Sequence, residues 1–290
     1  MLSNFPYVTV VTPNYNYSQF IEETIESILN QDYPNIEHII VDDGSTDNSV
    51  EIIQSYVDKY PGKIKLIKQK NMGQTSAINT GLESANGDII SWINSDDYYC
   101  PNIFSKIVEN FIKNPNVDIV FGDVNAVDVK GRFIYRIKHL PYNYYMGVFL
   151  GFCKITKSNA VFWRRRLMKK AGYLNPKLKS NMDGEYFSRL FINAKVNYLN
   201  LTIANFRQQK ISKAGQSNKN WQDIAREELR YELLNSFKKS PLSKYVPFKL
   251  SILLKTFYKL KRIFLRSIKL HYFYKFLEIY KYKKSINSME

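Results

Sequence analysis

The stretch DIISWINSDDYYC, Asp88 to Cys100, decides how the chain is read. Ile89 to Ile93 form an apolar run of strand length, and it leads straight into Asn94, Ser95, Asp96 and Asp97. Adjacent carboxylates at the end of a buried strand repel each other and lose hydration, so their position needs a reason. In an α/β sheet the reason is place: ligands bind beyond the carboxyl ends of parallel strands.

Strand and helix patterns alternate outward from that stretch. YVTVVTP (Tyr7 to Pro13) is a β-branched run closed by proline. QFIEETIESILNQ follows with Phe20, Ile21, Thr24, Ile25, Ile28 and Leu29 at helical spacing. IEHIIVDD (Ile36 to Asp43) reads as a strand. NSVEIIQSYVDKY reads as a helix with Asn48 as N-cap and Glu51 three residues on. KIKLIKQ, QTSAINTGLESA, a helix near Asn102 to Lys113 and VDIVFGDV continue the alternation. This order predicts an α/β fold with helices on both faces of a parallel sheet. Its polar clusters, TPNYN, DDGSTD and NSDD, then fall at strand ends on one rim. Beyond Asn125 the pattern loosens: a hairpin about Lys130-Gly131, a strand turning into a helix that stops at Gly172, and an amphipathic helix in MDGEYFSRLFINA.

The net charge of +16 suggests a nucleic-acid binder until it is mapped. Between Lys238 and Lys284, 14 Lys/Arg stand against one acid, Glu278, while the rest of the chain carries 28 basic and 25 acidic residues. The basicity belongs to the C-terminal part, so no nucleic-acid partner is expected. Two cysteines make neither a disulfide framework nor a metal cluster. No signal peptide and no membrane-spanning run is read, and a cytoplasmic location is expected.

The segments VTPNYN, VDDGSTDNS, NMGQTSAINTGLESANGD, INSDD, FWRRRLMKKAG and MDGEYFSRL occur in this order. Together they resemble the family 2 glycosyltransferases of the GT-A fold. The resemblance covers roughly residues 5–213. It implies a GT-A (Rossmann-like), mostly parallel sheet in a catalytic domain over 1–215, followed by a helical, basic amphipathic region over 216–290. It implies a nucleotide-sugar site with Pro13, Tyr15, Asp43, Asn79 and Asp96, and a divalent cation, Mg²⁺ or Mn²⁺, on Asp97. Carboxylates hold a diphosphate through such a cation, whose hardness suits both oxygens. Asp96 is expected on the ribose or behind the metal. Asp183 matches the acid used as general base, with Glu185 as its neighbour. Trp163 is read as a sugar platform or as core. Arg164 and Arg207 are read as acceptor or phosphate contacts.

The resemblance implies an inverting enzyme that passes one sugar from a nucleoside-diphosphate sugar to a hydroxyl of a glycan or lipid-linked glycan. The Gln-x-x-Arg-Trp signature of processive synthases is absent. One departure is Gln209, which stands where relatives often carry a His in Arg-x-His. It keeps open a catalytically impaired sugar-nucleotide-binding relative. A nucleotidyltransferase is disfavoured, because no Gly-rich loop ending in Thr-Arg follows the first strand. In the C-terminal part, Leu253, Phe257, Leu260, Phe264 and Ile268 share one helical face. Lys255, Lys259, Arg262, Arg266 and Lys269 run beside it, which suits either an anionic membrane surface on the cytoplasmic side or packing on the catalytic domain.

Overall fold

The computed structural model describes residues 5–141, 157–178, 182–191 and 194–209, together with 256, 257, 260, 278 and 279. Among the described residues nine strands form one sheet in the order β3-β2-β1-β4-β8-β6-β9-β5, with β7 paired to β6. They are β1 (Val8–Asn14), β2 (Ile36–Asp42), β3 (Ile64–Lys68), β4 (Ile89–Trp92), β5 (Tyr98–Tyr99), β6 (Ile119–Val127), β7 (Phe133–Ile137), β8 (Val161–Arg164) and β9 (Val196–Arg207). The helices are α1 (Ser18–Leu29), α2 (Ser49–Lys59), α3 (Gln74–Ser84), α4 (Phe104–Lys113), α5 (Met168–Ala171) and α6 (Met182–Phe191).

The first half is the parallel sheet that the alternation predicts. β1 pairs in parallel with β2 and β4, and β2 with β3. β6 and β9 are also parallel, whereas β8 runs antiparallel to both β4 and β6. The near-continuous apolar runs are explained by burial on both faces. Val11, Ile39, Val41, Ile90 and Trp92 pack with Ala77, Ile78 and Leu82 of α3 and with α6. Val8, Val10, Ile89 and Ile93 pack on the other face with Phe104, Ile107, Val108 and Phe111 of α4. Ile40 meets Ile21, Ile25 and Ile53 of α1 and α2.

The expected hairpin joins β6 and β7 through a turn in which Gly131 has φ +77°. Helix α5 ends at Gly172, φ +68°, a left-handed stop that glycine accepts without penalty. Asn48 precedes α2 but makes no side-chain cap. The capping role falls to Asp47, whose carboxylate accepts from Ser49 N at 3.0 Å and from Ser18 N at 2.9 Å. One carboxylate thus serves the starts of α1 and α2.

Of the C-terminal apolar face, Phe257 and Leu260 are described and both are exposed. Leu253, Phe264, Ile268 and the basic row beside them lie outside the described residues. Glu278, the acid of that segment, accepts from the backbone N of Arg136 on β7 at 2.8 Å. Among the described residues no helix is long and apolar enough to cross a membrane.

Candidate active site

The predicted rim exists, and the start of α3 is its hub. Asp43 follows β2 and is buried. Its Oδ1 accepts from Gln69 Nε2 (2.7 Å) and Met72 N (2.9 Å), and its Oδ2 from Gly73 N (2.8 Å). It therefore fixes the turn that enters α3, where Gly73 sits at φ +89°. The first residue of the helix, Gln74, donates through Nε2 to Asn94 Oδ1 at 2.9 Å, two residues before Asp96. The second, Thr75, places Oγ1 2.6 Å from Met182 Sδ, the residue before Asp183. The ends of β2 and β4 and the start of α6 thus converge on one helix N-terminus. Its N-cap, Gly73, has no side chain to cap the helix, and a helix N-terminus of this kind can receive an anion on its first N–H groups.

Asp42 has a different task. It accepts from Asn14 Nδ2 (2.8 Å), Ser45 N (2.9 Å) and Ser45 Oγ (2.6 Å), tying β1 to the turn after β2. Pro13 is buried and its carbonyl accepts from Ser95 Oγ at 2.8 Å, while Tyr15 is exposed on the rim.

Asp96 and Asp97 are held unequally. Asp97 is buried; its Oδ1 accepts from Arg207 N (2.9 Å) and its Oδ2 from Asn159 Nδ2 (3.1 Å). Asp96 is half-buried and accepts from Gln209 Nε2 through Oδ2 at 2.8 Å. Burial, followed by the negative charge of Asp96, holds the Asp97 carboxyl well above the usual carboxylate range. Burial also raises Asp96, against the pull of Gln209, Arg207 and Lys157. Tyr17 closes the site and is pushed up to about 12 by burial and then by Asp96 and Asp97.

Two adjacent carboxylates, both raised by burial and the inner one also by the charge of its neighbour, form a hard-oxygen pair of the kind that suits Mg²⁺ or Mn²⁺. Among the described residues no group of three or more His, Cys, Asp or Glu is placed to hold a metal. A cation would have two carboxylates rather than three. Asp96 is the more accessible of the pair, and Asp97, expected as the ligand, lies behind it.

Asp183 lies in the first turn of α6, half-buried, with no hydrogen bond or ion pair among the described residues. Its neighbour Glu185 is paired with Arg189 through both carboxylate oxygens. Arg189 in turn reaches the carbonyls of Ala171 and Tyr173. Of the two acids, Glu185 is engaged with Arg189 and Asp183 is not.

Four expected contacts take other roles. Trp163 is fully buried, with its ring 5.9 Å from Trp92 and 6.1 Å from Tyr186, so it is core and not a sugar platform. Arg164 pairs with Ile89 at the amino end of β4, the rim opposite Asp96. Its guanidinium donates to Val117 O (2.7 Å) and Phe111 O (3.0 Å) at the end of α4, which excludes it from an acceptor or phosphate contact. Arg207 is also internal: it donates to Asp96 O and Val129 O and pairs with Glu23, with Phe20 and Tyr98 against its plane. It braces the Asp96–Asp97 turn from behind. Asn79 binds Leu174 N and O at 2.9 Å each, joining α3 to the segment before α6. That is a structural tie between the two elements.

Sequence reasoning missed Asn159, Gln74, Tyr17 and Thr24. Thr24 Oγ1 lies 2.9 Å from Ser95 O and 2.8 Å from Asp97 O. Its place among the apolar positions of α1 was the available signal: a hydroxyl on a buried helix face needs a partner.

Residues 9–175 match the family model described as Glycosyl transferase family 2. An uncharacterized glycosyltransferase of Nostoc sp. is 37% identical over 127 residues, 42% of this chain and 39% of the relative. One from Haemophilus influenzae is 38% identical over 132 residues, 45% of this chain and 52% of the relative. The matched region thus spans about half or less of these relatives' length. Among solved structures, S. aureus TarS 1-349 in complex with UDP-GlcNAc superposes with a TM-score of 0.60 at 20% identity, covering 86% of this chain and 79% of that one. The mannosyltransferase PcManGT from Pyrobaculum calidifontis, in complex with GDP-Man and Mn²⁺, gives 0.55 at 16% identity over 99% and 88%. These likenesses establish the GT-A fold.

Proposed function

The chain belongs to glycosyl transferase family 2, and on that premise we propose that it moves a single sugar from a nucleoside-diphosphate sugar to a hydroxyl of a glycan or lipid-linked glycan, with inversion. The observation that carries this reading is the convergence on the start of α3 of Asp43, of the Asp96–Asp97 turn through Gln74, and of Asp183 through Thr75 and Met182. The nucleoside lies along Pro13, Tyr15 and Asp43, and the diphosphate faces the α3 N-terminus. Asp96 and Asp97 are the residues that would hold Mg²⁺ or Mn²⁺, with Gln209 as a neutral neighbour. When bound there, the ion would supply positive charge against a departing diphosphate. Asp183 takes the proton of the acceptor hydroxyl. The oxygen bonds to the anomeric carbon as the bond from that carbon to the diphosphate breaks on the opposite face.

A thermal-shift panel of nucleoside-diphosphate sugars with Mn²⁺ tests the donor class. At least one sugar nucleotide is expected to raise the melting temperature, and EDTA or Asp96→Asn to reduce that rise. A panel in which none stabilises the protein contradicts the reading. A non-catalytic sugar-nucleotide binder is the second reading, favoured by Gln209 at the carboxylate pair; it predicts the same shifts with no turnover.

The C-terminal segment is proposed to rest on an anionic membrane at its cytoplasmic face. Its charge and the exposure of Phe257 and Leu260 support this. Each basic residue near such a surface is worth about 1 kcal/mol. Sedimentation with phosphatidylserine vesicles but not with neutral ones is expected, and equal sedimentation with neither would contradict it.

A further inference from the structure

We propose that Asn159 is a positioning residue, holding the Asp97 carboxylate in the orientation in which the Asp96–Asp97 pair receives a divalent cation. This rests on the cation reading above and adds a residue from a different part of the chain. Strand direction puts it there. β8 is antiparallel to β4, so the 3-10 turn Ser158–Ala160 that precedes β8 lies at the carboxyl end of β4. Ser91 Oγ on β4 donates to Val161 O at 2.8 Å and locks that end in place.

Asn159 is fully buried, and its Nδ2 lies 3.1 Å from Asp97 Oδ2. The other oxygen, Oδ1, is held by the main-chain N of Arg207, which any residue at that position could supply except proline. Among the described residues Asn159 is thus the side chain that fixes the second oxygen. Its own Oδ1 is buried without a partner. A buried acceptor without a partner is costly. The side-chain bond of Asn159 to the pair is therefore made by its amide N–H, donated to Asp97. Groups of this kind behind a ligating carboxylate set its direction, and losing one typically weakens metal affinity about 10–100-fold.

The test is a titration of the full chain with Mn²⁺, read by the electron paramagnetic resonance of the free ion, beside thermal melts. Asn159→Leu keeps the size, removes the donor and removes the orphan oxygen. It is expected to melt close to the wild type yet to bind Mn²⁺ about tenfold more weakly or worse. Asn159→Ser keeps a donor on an arm too short to reach Asp97 and is expected to weaken binding also. A folded Leu variant with Mn²⁺ affinity within twofold of wild type overturns the proposal. If that variant does not fold, an unchanged affinity in the Ser variant does so. Asp97→Asn separates the two levels. If that change leaves Mn²⁺ affinity untouched, the cation does not use the pair, and the cation reading falls together with the role of Asn159.

Discussion

His38 sits in the middle of β2, opposite Val10, fully buried, with Nε2 2.8 Å from Thr12 Oγ1. Burial holds its imidazole down to about 3, against about 6.5 in an unfolded chain. Between those values the unfolded state binds a proton that the folded state refuses. His38 therefore contributes fully above pH 6.5, and that contribution is lost as pH falls from 6.5 toward 3. Asp96 and Asp97 have the opposite sign: their raised carboxyls favour the fold as pH falls through the range where they take up protons. Melting temperature against pH in wild type and His38→Gln isolates the histidine, because the acid pair is common to both. The wild type is expected to lose about 2 kcal/mol more than the variant between pH 7 and pH 5. Equal losses would mean that His38 is not buried neutral. At this scale the sequence was legible where chemistry is local. The Asp96–Asp97 pair stood out by its place after an apolar strand, and Asp183 only through the family resemblance. The sequence could not say that Glu185 is bound to Arg189, nor that Arg164 faces the far rim, because both depend on packing partners distant in sequence.

At the scale of elements, the placing of α3 on the sheet sets the site. A Cβ added at Gly81 would lie 2.3 Å from Val11 Cγ1 and 3.3 Å from Val41 Cγ2, so the helix rests directly on β1 and β2. Gly81→Ala must push α3 outward, at a cost of about 1–3 kcal/mol by overpacking. It should also weaken nucleotide-sugar binding, since the turn held by Asp43 and the Gln74–Asn94 bond move with the helix. Denaturant unfolding and calorimetry check both; a neutral effect on stability would contradict the close approach. Strands with apolar runs and helices with 3.6-residue spacing were readable, and so was the parallel half of the sheet. β5, with two residues, and β9, with its register shifts opposite Phe121 to Val124, carry no periodic signal of their own. Nor does the direction of β8 appear in its sequence. That reversal sends Asn159 to the rim and Arg164 away from it.

At the scale of the molecule, charge and fold divide the chain differently. The charge map separates a near-neutral body from a basic C-terminal segment. The bond from Arg136 N to Glu278 ties that segment's acid to the outer strand β7, so the two parts touch. Both readings of the segment, packing on the body and resting on a membrane, are compatible with one such contact beside exposed Phe257 and Leu260. In the body, the carboxyl ends of β1, β2 and β4 and the start of α6 meet around the start of α3, and a base is proposed at Asp183 opposite a leaving diphosphate. The most direct test of that proposal is turnover of a bound nucleotide sugar, read as nucleoside diphosphate release at saturating donor, in Asp183→Asn beside donor affinity by calorimetry. The account predicts a loss of about 10²–10⁴-fold in turnover with affinity close to wild type. Turnover retained at the wild-type rate, or donor binding lost together with it, would contradict the assignment.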